Sequence, residues 1–400
     1  GWYAVSGTVT IDQPITVTDA VNLILTDGCT LTAAKGIVVT DGNSLTIYAQ
    51  SENGGTLNAT GMTDDSGNAS AGIGGSTSSL DSGAITIHGG VINATGGSTG
   101  SNGYGGAGIG GGTSKSANGG NSGTIIIYGD TVTANSGAGT ATGAGIGGGT
   151  GAGDNVGGAG SNITIYGGSV TAASTGTQLG GAGIGGGGGN NDGGTGENIN
   201  IYGGTVNATG GNLGAGIGGG GSNTIDDSSQ KSGDGAVTIS GGTVTAVGSN
   251  YAAGIGGGGG YYYINQYSSG GCAGGTGSVT ISGGIVDASS PTDVYWTGYA
   301  GAPIGNGGNT TAAATVSKTN AIVFENGAGT VCGDVTLDGS YTVPGDYTLN
   351  IPVGASLSGS GTLSGSGTFT TENLTEDMIS VPTDFYYNGE DRTTELTEAV

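Results

Sequence analysis

Apolar residues recur in this chain with a period of two, in short bursts separated by glycine pairs. Ile163-Thr164-Ile165-Tyr166-Gly167-Gly168-Ser169-Val170-Thr171-Ala172 is one copy, and Val237-Thr238-Ile239-Ser240-Gly241-Gly242-Thr243-Val244-Thr245-Ala246 is another. Further copies begin at Leu45, Ile85, Ile125, Ile199 and Val279. Alternation puts Ile163, Ile165, Val170 and Ala172 on one face and Thr164 and Thr171 on the other, the signature of half-buried strands. The Gly-Gly pair supplies a corner where positive φ carries no steric cost. No stretch shows a helical period with caps.

A second element precedes each strand pair. Ala-Gly-Ile-Gly-Gly places its isoleucine at Ile73, Ile109, Ile146, Ile184, Ile217 and Ile255, and Ala302-Pro303-Ile304-Gly305 is a degenerate seventh copy. The spacings vary from 33 to 49 residues, which implies a fixed frame with variable insertions. Each unit reads as three short strands and three corners. One such turn cannot bury its own apolar face, so the units must stack. Stacking like over like predicts columns of Ile and Val inside, with ladders about 4.8 Å apart and right-handed connections.

The predicted fold is therefore all-β, a right-handed parallel β-helix with three strands per turn and corner insertions. About a dozen turns would make a rod roughly 60 Å long. Residues 1–371 form the coil: 1–60 as N-terminal turns, 61–312 as seven Gly-rich repeats and 313–371 as C-terminal turns. Insertions such as Thr113 to Ser122 and Ser222 to Gly235 are expected to project from one corner. Trp2-Tyr3 is the candidate cap for the N-terminal end, whose ladder is otherwise open. Residues 372–400 are expected to be a linker or the start of a further module, because glycine almost vanishes there and acidic residues concentrate.

Composition sharpens this picture. Glycine takes 99 of 400 positions, and charged residues are only 8% against roughly 25% in ordinary domains. There are 29 acidic residues against 5 basic ones, a net charge of −24. That field repels phosphate backbones and anionic lipid, so neither nucleic acid nor membrane insertion is expected. Cys29, Cys272 and Cys332 lie far apart without metal-type spacing; they read as buried small residues, with a disulfide between two of them as the alternative. No signal-peptide or membrane-spanning run is legible, and Gly1-Trp2-Tyr3 reads as a trimmed start.

The chain resembles the Gly-rich right-handed β-helix domains, pectin-lyase-like in fold, of large surface proteins from Gram-positive anaerobic bacteria. The resemblance rests on Thr26-Asp27-Gly28-Cys29-Thr30-Leu31-Thr32 and its return at Thr40-Asp41-Gly42-Asn43-Ser44-Leu45-Thr46, on the Ala-Gly-Ile-Gly-Gly copies and on the Ile-Thr-Ile-Tyr-Gly-Gly strands. It covers roughly residues 1–371 and implies an extracellular or cell-surface location. It carries no catalytic motif onto these residues, because the fold hosts lyases, hydrolases, adhesins and binding modules alike.

Candidate chemistry is correspondingly sparse. Lyase chemistry needs a cationic base beside clustered carboxylates, and hydrolysis needs two carboxylates facing one bond. Lys35, Lys115, Lys231, Lys318 and Arg392 are the basic residues, and none falls in an acidic strand cluster. No catalytic residue is assigned and no enzyme is expected; a polysaccharide lyase or hydrolase is the lesser alternative. No cofactor is expected. Calcium is compatible with the Asp-bearing loops at Asp64, Asp65, Asp154, Asp192, Asp226 and Asp227, without a defined spacing.

Two aromatic groupings are the binding candidates. Tyr48, His88, Tyr128, Tyr166 and Tyr202 share one repeat position on the outer face, giving either a structural ladder or a platform for sugar rings; Ser240 and Ser282 end the column. Tyr251, Tyr261, Tyr262, Tyr263, Tyr267, Tyr295, Trp296 and Tyr299 concentrate in the last insertions and suit glycan or protein recognition, with loop packing as the alternative. The functional expectation is a surface adhesin or glycan-binding module with a glycan or a host or cell-wall ligand as partner. A passive stalk is the alternative, and the oligomeric state is open.

Overall fold

A computed structural model describes residues 1–51, 54–223, 230–260, 262–264, 269–291 and 300–371, with residues 262–264, 269 and 270 described through their backbone. The expected linker at 372–400 lies outside the described residues. Every regular element among them is a β-strand. Three long sheets of ten, thirteen and nine strands form the walls, and the chain is a right-handed parallel β-helix.

One turn shows how the sequence builds the frame. Gly160–Ile165 lies in the first sheet, Ser169–Ala173 in the second and Ile184–Gly185 in the third. The corner between the first two strands is Gly167-Gly168, where Gly168 takes φ 84°. In the next turn, Ile163 sits beside Ile199, Ile165 beside Ile201, Val170 beside Val206 and Ile184 beside Ile217. Like stacks on like, as the repeat requires. These side chains, from Val17 to Val323, form one continuous apolar column inside the coil. Each turn alone exposes an edge, so its burial depends on its neighbours.

The insertions do not project as expected. Thr113 and Ser222 are fully buried, and so are Gly119 and Gly120; in the first insertion 115–118 and Asn121 reach solvent, and residues 224–229 of the second lie outside the described residues. Outgoing and returning glycine segments instead interleave in a flat layer against the wall. Their amides form one chain of bonds: Gly120 N donates to Gly112 O, Gly149 to Gly120, Gly158 to Gly149, Gly187 to Gly158, Gly194 to Gly187, Gly220 to Gly194 and Gly233 to Gly220, all at 2.8–2.9 Å. It runs on through Gly258, Gly275 and Gly307. A Cβ on Gly158 would stand 1.9 Å from Gly120 O, and one on Gly194 2.0 Å from Gly158 O. Glycine is required here because backbone meets backbone, and not for an unusual φ.

Within 313–371 the strands leave the simple stack. Ala321–Glu325 pairs parallel with Ile285–Ser289 on one side but antiparallel with Ala328–Cys332 on the other. The turn between them is Asn326-Gly327 with φ 49° and 81°, the two positive values of a type I′ hairpin. Three-stranded turns then resume: Ala328–Cys332, Asp334–Thr336 and Ser340–Val343 are followed by Thr348–Ile351, Ser356–Ser358 and Thr362–Gly365. Their interior is a second apolar cluster that includes Phe324, Val331, Val335, Leu349 and Leu363. Ala321 and Val323 face the first interior while Ile322 and Phe324 face the second. The strands thus reverse and the core changes sides of the shared sheet together, which amounts to a half-turn about the rod axis and preserves the hand.

Asp287 lies under this junction. Its Oδ2 accepts a hydrogen bond from the Tyr347 hydroxyl at 2.9 Å, and its Oδ1 is buried without a partner in the described structure. Burial raises its pKa, and the Tyr347 bond offsets this only in part. Tyr341 and Tyr347 are both pushed up to about 12, by burial first and by Asp287 second. A carboxyl whose folded pKa exceeds its unfolded value contributes stability that is complete below the unfolded pKa and is lost as pH rises through the folded one. The second coil is therefore expected to dock more firmly at pH 4 than at pH 7. Asp287→Asn should remove that pH dependence, read from hydrogen exchange at the Val331 and Leu349 amides.

Trp2 does not cap the N-terminal end. It remains 65% exposed and stacks outward on Tyr48, while Tyr3 pairs with Leu23 in the inward column and stays exposed.

Candidate functional site

The expected aromatic column forms. In each turn the ring residue directly follows the last inward isoleucine of a first-sheet strand, and its amide donates to the isoleucine of the turn before: Tyr128 N to Ile87 O, Tyr166 N to Ile127 O and Tyr202 N to Ile165 O, each 2.8 Å. This register sets the ring spacing. Centroids are 4.7 Å apart from Tyr48 to His88, 4.6 Å on to Tyr128, 4.9 Å to Tyr166 and 5.1 Å to Tyr202, with planes within 11° of parallel. Trp2 adds a sixth ring at 5.4 Å.

This spacing decides what the ladder can do. Tyr48, His88, Tyr128 and Tyr166 are each covered on both faces by neighbouring rings. Their exposure, 44% for Tyr128 and 47% for Tyr166, is therefore exposure of ring edges and hydroxyls. A sugar cannot stack along such a column, because stacking needs a free face. The platform reading fails for the inner rings, and the end rings differ.

The late aromatic patch divides. Tyr251 is only 8% exposed and packs with Ala141, Leu179 and Leu213 in a small apolar column, with Tyr104 against it. It serves the wall and not the surface. Tyr262 and Tyr263 belong to a two-stranded antiparallel hairpin, Tyr262–Ile264 with Ser269–Gly271. Tyr261, Tyr267, Tyr295, Trp296 and Tyr299 lie outside the described residues.

The acidic loops mostly hold the chain itself. Asp81 Oδ1 accepts from Asn121 N at 2.7 Å, and Asn121 Oδ1 accepts from Ala159 N at 2.9 Å. Asp192 likewise accepts from Lys231 N, and Asp234 from Thr276 N and Oγ1. These bonds stitch each turn to the next. The Asp64 carboxyl closes its own loop through Ser66 and Asn68. Burial opposes its charge, but hydrogen bonds led by Asn68 leave its pKa below the usual value. Asp226 and Asp227 lie outside the described residues. Among the described residues, no three His, Cys, Asp or Glu side chains gather as a metal-holding group.

Sequence reasoning missed a groove at the opposite edge of the first sheet. Two adjoining clefts, of about 630 and 870 Å³, share Asp41, Asn121 and Ala159. Asn43, Ser82, Ser161 and Asn162 line one; Ser79, Asp81, Asn118 and Thr195 line the other. It forms because the turn through Ile37–Val38 has no long insertion, whereas the following turns carry the glycine layer and leave a ledge. The outer face of the first sheet, with Thr46, Thr86 and Thr164, thus lies between this polar groove and the aromatic ladder.

A family model described as a beta helix repeat matches residues 53–77, 163–188, 199–221 and 237–259. The last three segments each run from a first-sheet strand to the end of a third-sheet strand, which is one turn of the coil. This is a parallel β-helix repeat protein. No curated protein and no solved structure matches the chain. The β-helix therefore has to be read for function from its own surface.

Proposed function

We propose that this β-helix is a glycan-binding module displayed outside the cell, with the outer face of the first sheet as its binding surface. The observation that carries this reading is the framing of one flat face by a polar amide and hydroxyl groove on one edge and a column of tyrosine edges on the other. Polyhydroxylated ligands are recognised by such side chains, which exchange hydrogen bonds with them, while aromatic groups supply apolar contact. The net charge of −24 favours neutral glycans over acidic ones.

A glycan array with the intact protein tests it. Asp41→Ala combined with Asn162→Gly alters the groove; Asn162 has φ 57°, so glycine keeps the backbone as it is. The expected result is retention of a neutral polysaccharide that weakens at least fivefold in the double variant with unchanged unfolding. Failure to retain any glycan would remove the reading. It would leave the passive stalk, which the regular stack of turns and the closed inner ring faces favour.

A further inference from the structure

We infer that Tyr202 is a stacking site for the C–H face of a pyranose, and that the bound oligosaccharide crosses the rod instead of running along it. The inference rests on the glycan reading above and locates its aromatic contact. Tyr202 ends the ladder: Tyr166 covers one of its faces at 5.1 Å, while the next two positions of the column are Ser240 and Ser282, both exposed. Their amides donate to Ile201 O and Ile239 O, the bonds that Tyr202 and its predecessors make, so the backbone continues while the rings stop. Two ring positions are thereby vacant over a height of roughly 10 Å, with serine in place of a ring beyond the second face of Tyr202.

Polarised C–H groups are attracted to the electron-rich face of an aromatic ring. Because the Tyr202 plane lies across the rod axis, a pyranose on it is parallel to the turns, and its equatorial linkages point along a turn. In that direction, on the same outer face of the same strand, lie Asn200 and Asn198, joined by a bond from Asn200 Nδ2 to Asn198 Oδ1 at 2.9 Å. From Tyr202 to Asn198 is about 13 Å, the reach of a short oligosaccharide. Trp2, at the other end of the ladder, is tilted 26° from the Tyr48 plane, so a pyranose on it would not lie parallel to the turns.

Calorimetric titration with cellopentaose, whose pyranoses carry only equatorial substituents, tests this, with α-mannopentaose as the probe whose axial hydroxyls roughen that face. The wild-type protein is expected to bind cellopentaose at least tenfold more tightly than α-mannopentaose. Tyr202→Ala and Ser240→Leu should each lose at least tenfold, the second by covering the ring face while keeping the ring, and Trp2→Ala should leave affinity unchanged. Cellopentaose binding that survives both Tyr202→Ala and Ser240→Leu, or that Trp2→Ala abolishes, overturns the site while leaving the glycan reading intact. Retention of other glycans on the array without any cellopentaose binding also overturns it.

Discussion

Gly158→Ala is expected to destabilise the coil by about 3 kcal/mol or more, against about 1–2 kcal/mol for Gly42→Ala, when both are measured by chemical denaturation. The two glycines separate two reasons for the residue. Gly42 has φ 83° and no atom within 4 Å of an added Cβ, so alanine there meets only the left-handed backbone penalty, offset in part by a stiffer unfolded chain. Gly158 has no positive φ, yet its added Cβ would lie 1.9 Å from Gly120 O and 2.6 Å from Gly120 C. Backbone cannot yield as a flexible side chain can, and the displaced segment is bonded to the turns on both sides. Equal costs for the two substitutions would show that the glycine layer is loose.

Phe324→Ala is expected to cost about 3–5 kcal/mol and to unfold the C-terminal coil while the main coil survives. Phe324 is fully buried, lies 5.7 Å from the Tyr341 ring and 5.5 Å from that of Tyr347, and packs so closely on Gly329 that an added Cβ there would stand 2.4 Å from it. Its neighbour Val323 belongs to the other interior. Because stacked turns are coupled chiefly to their neighbours, the loss should stay local. Hydrogen exchange is expected to rise at Val331, Leu349 and Leu363 and to stay slow at Ile163 and Ile199. A uniform rise along the rod would contradict two separate cores.

The frame was legible in the amino-acid pattern because period-two alternation and a fixed isoleucine leave one way to bury both: Ile146 over Ile109 and under Ile184. The ring column was legible for the same reason, but its consequence was not. Only the ring spacing in three dimensions shows that the inner faces are closed and that Tyr202 is the informative end. The glycine layer was hidden because a glycine run carries no apolar period and reads equally as a loose loop. The clue lay in pairs of runs in each turn, at Gly149 and Gly158 or Gly187 and Gly194. The reversal did have a signal, Asn326-Gly327 between two alternating strands, the pairing that favours a type I′ turn. Tyr251 was misplaced because an aromatic residue in a glycine-rich insertion resembles a surface anchor. Its offset before Ile255 matches that of Leu213 before Ile217, which assigns it to the wall. The groove required three dimensions, since its lining comes from turns about forty residues apart.

Amide hydrogen exchange at Gly120, Gly149, Gly158, Gly187, Gly194, Gly220 and Gly233 tests most directly whether the insertions are a bonded layer of the fold. Protection comparable to that of Ile163 and Ile199 in the first-sheet strands is the predicted result. Exchange at the rate of the exposed tips at 115–118 would contradict it.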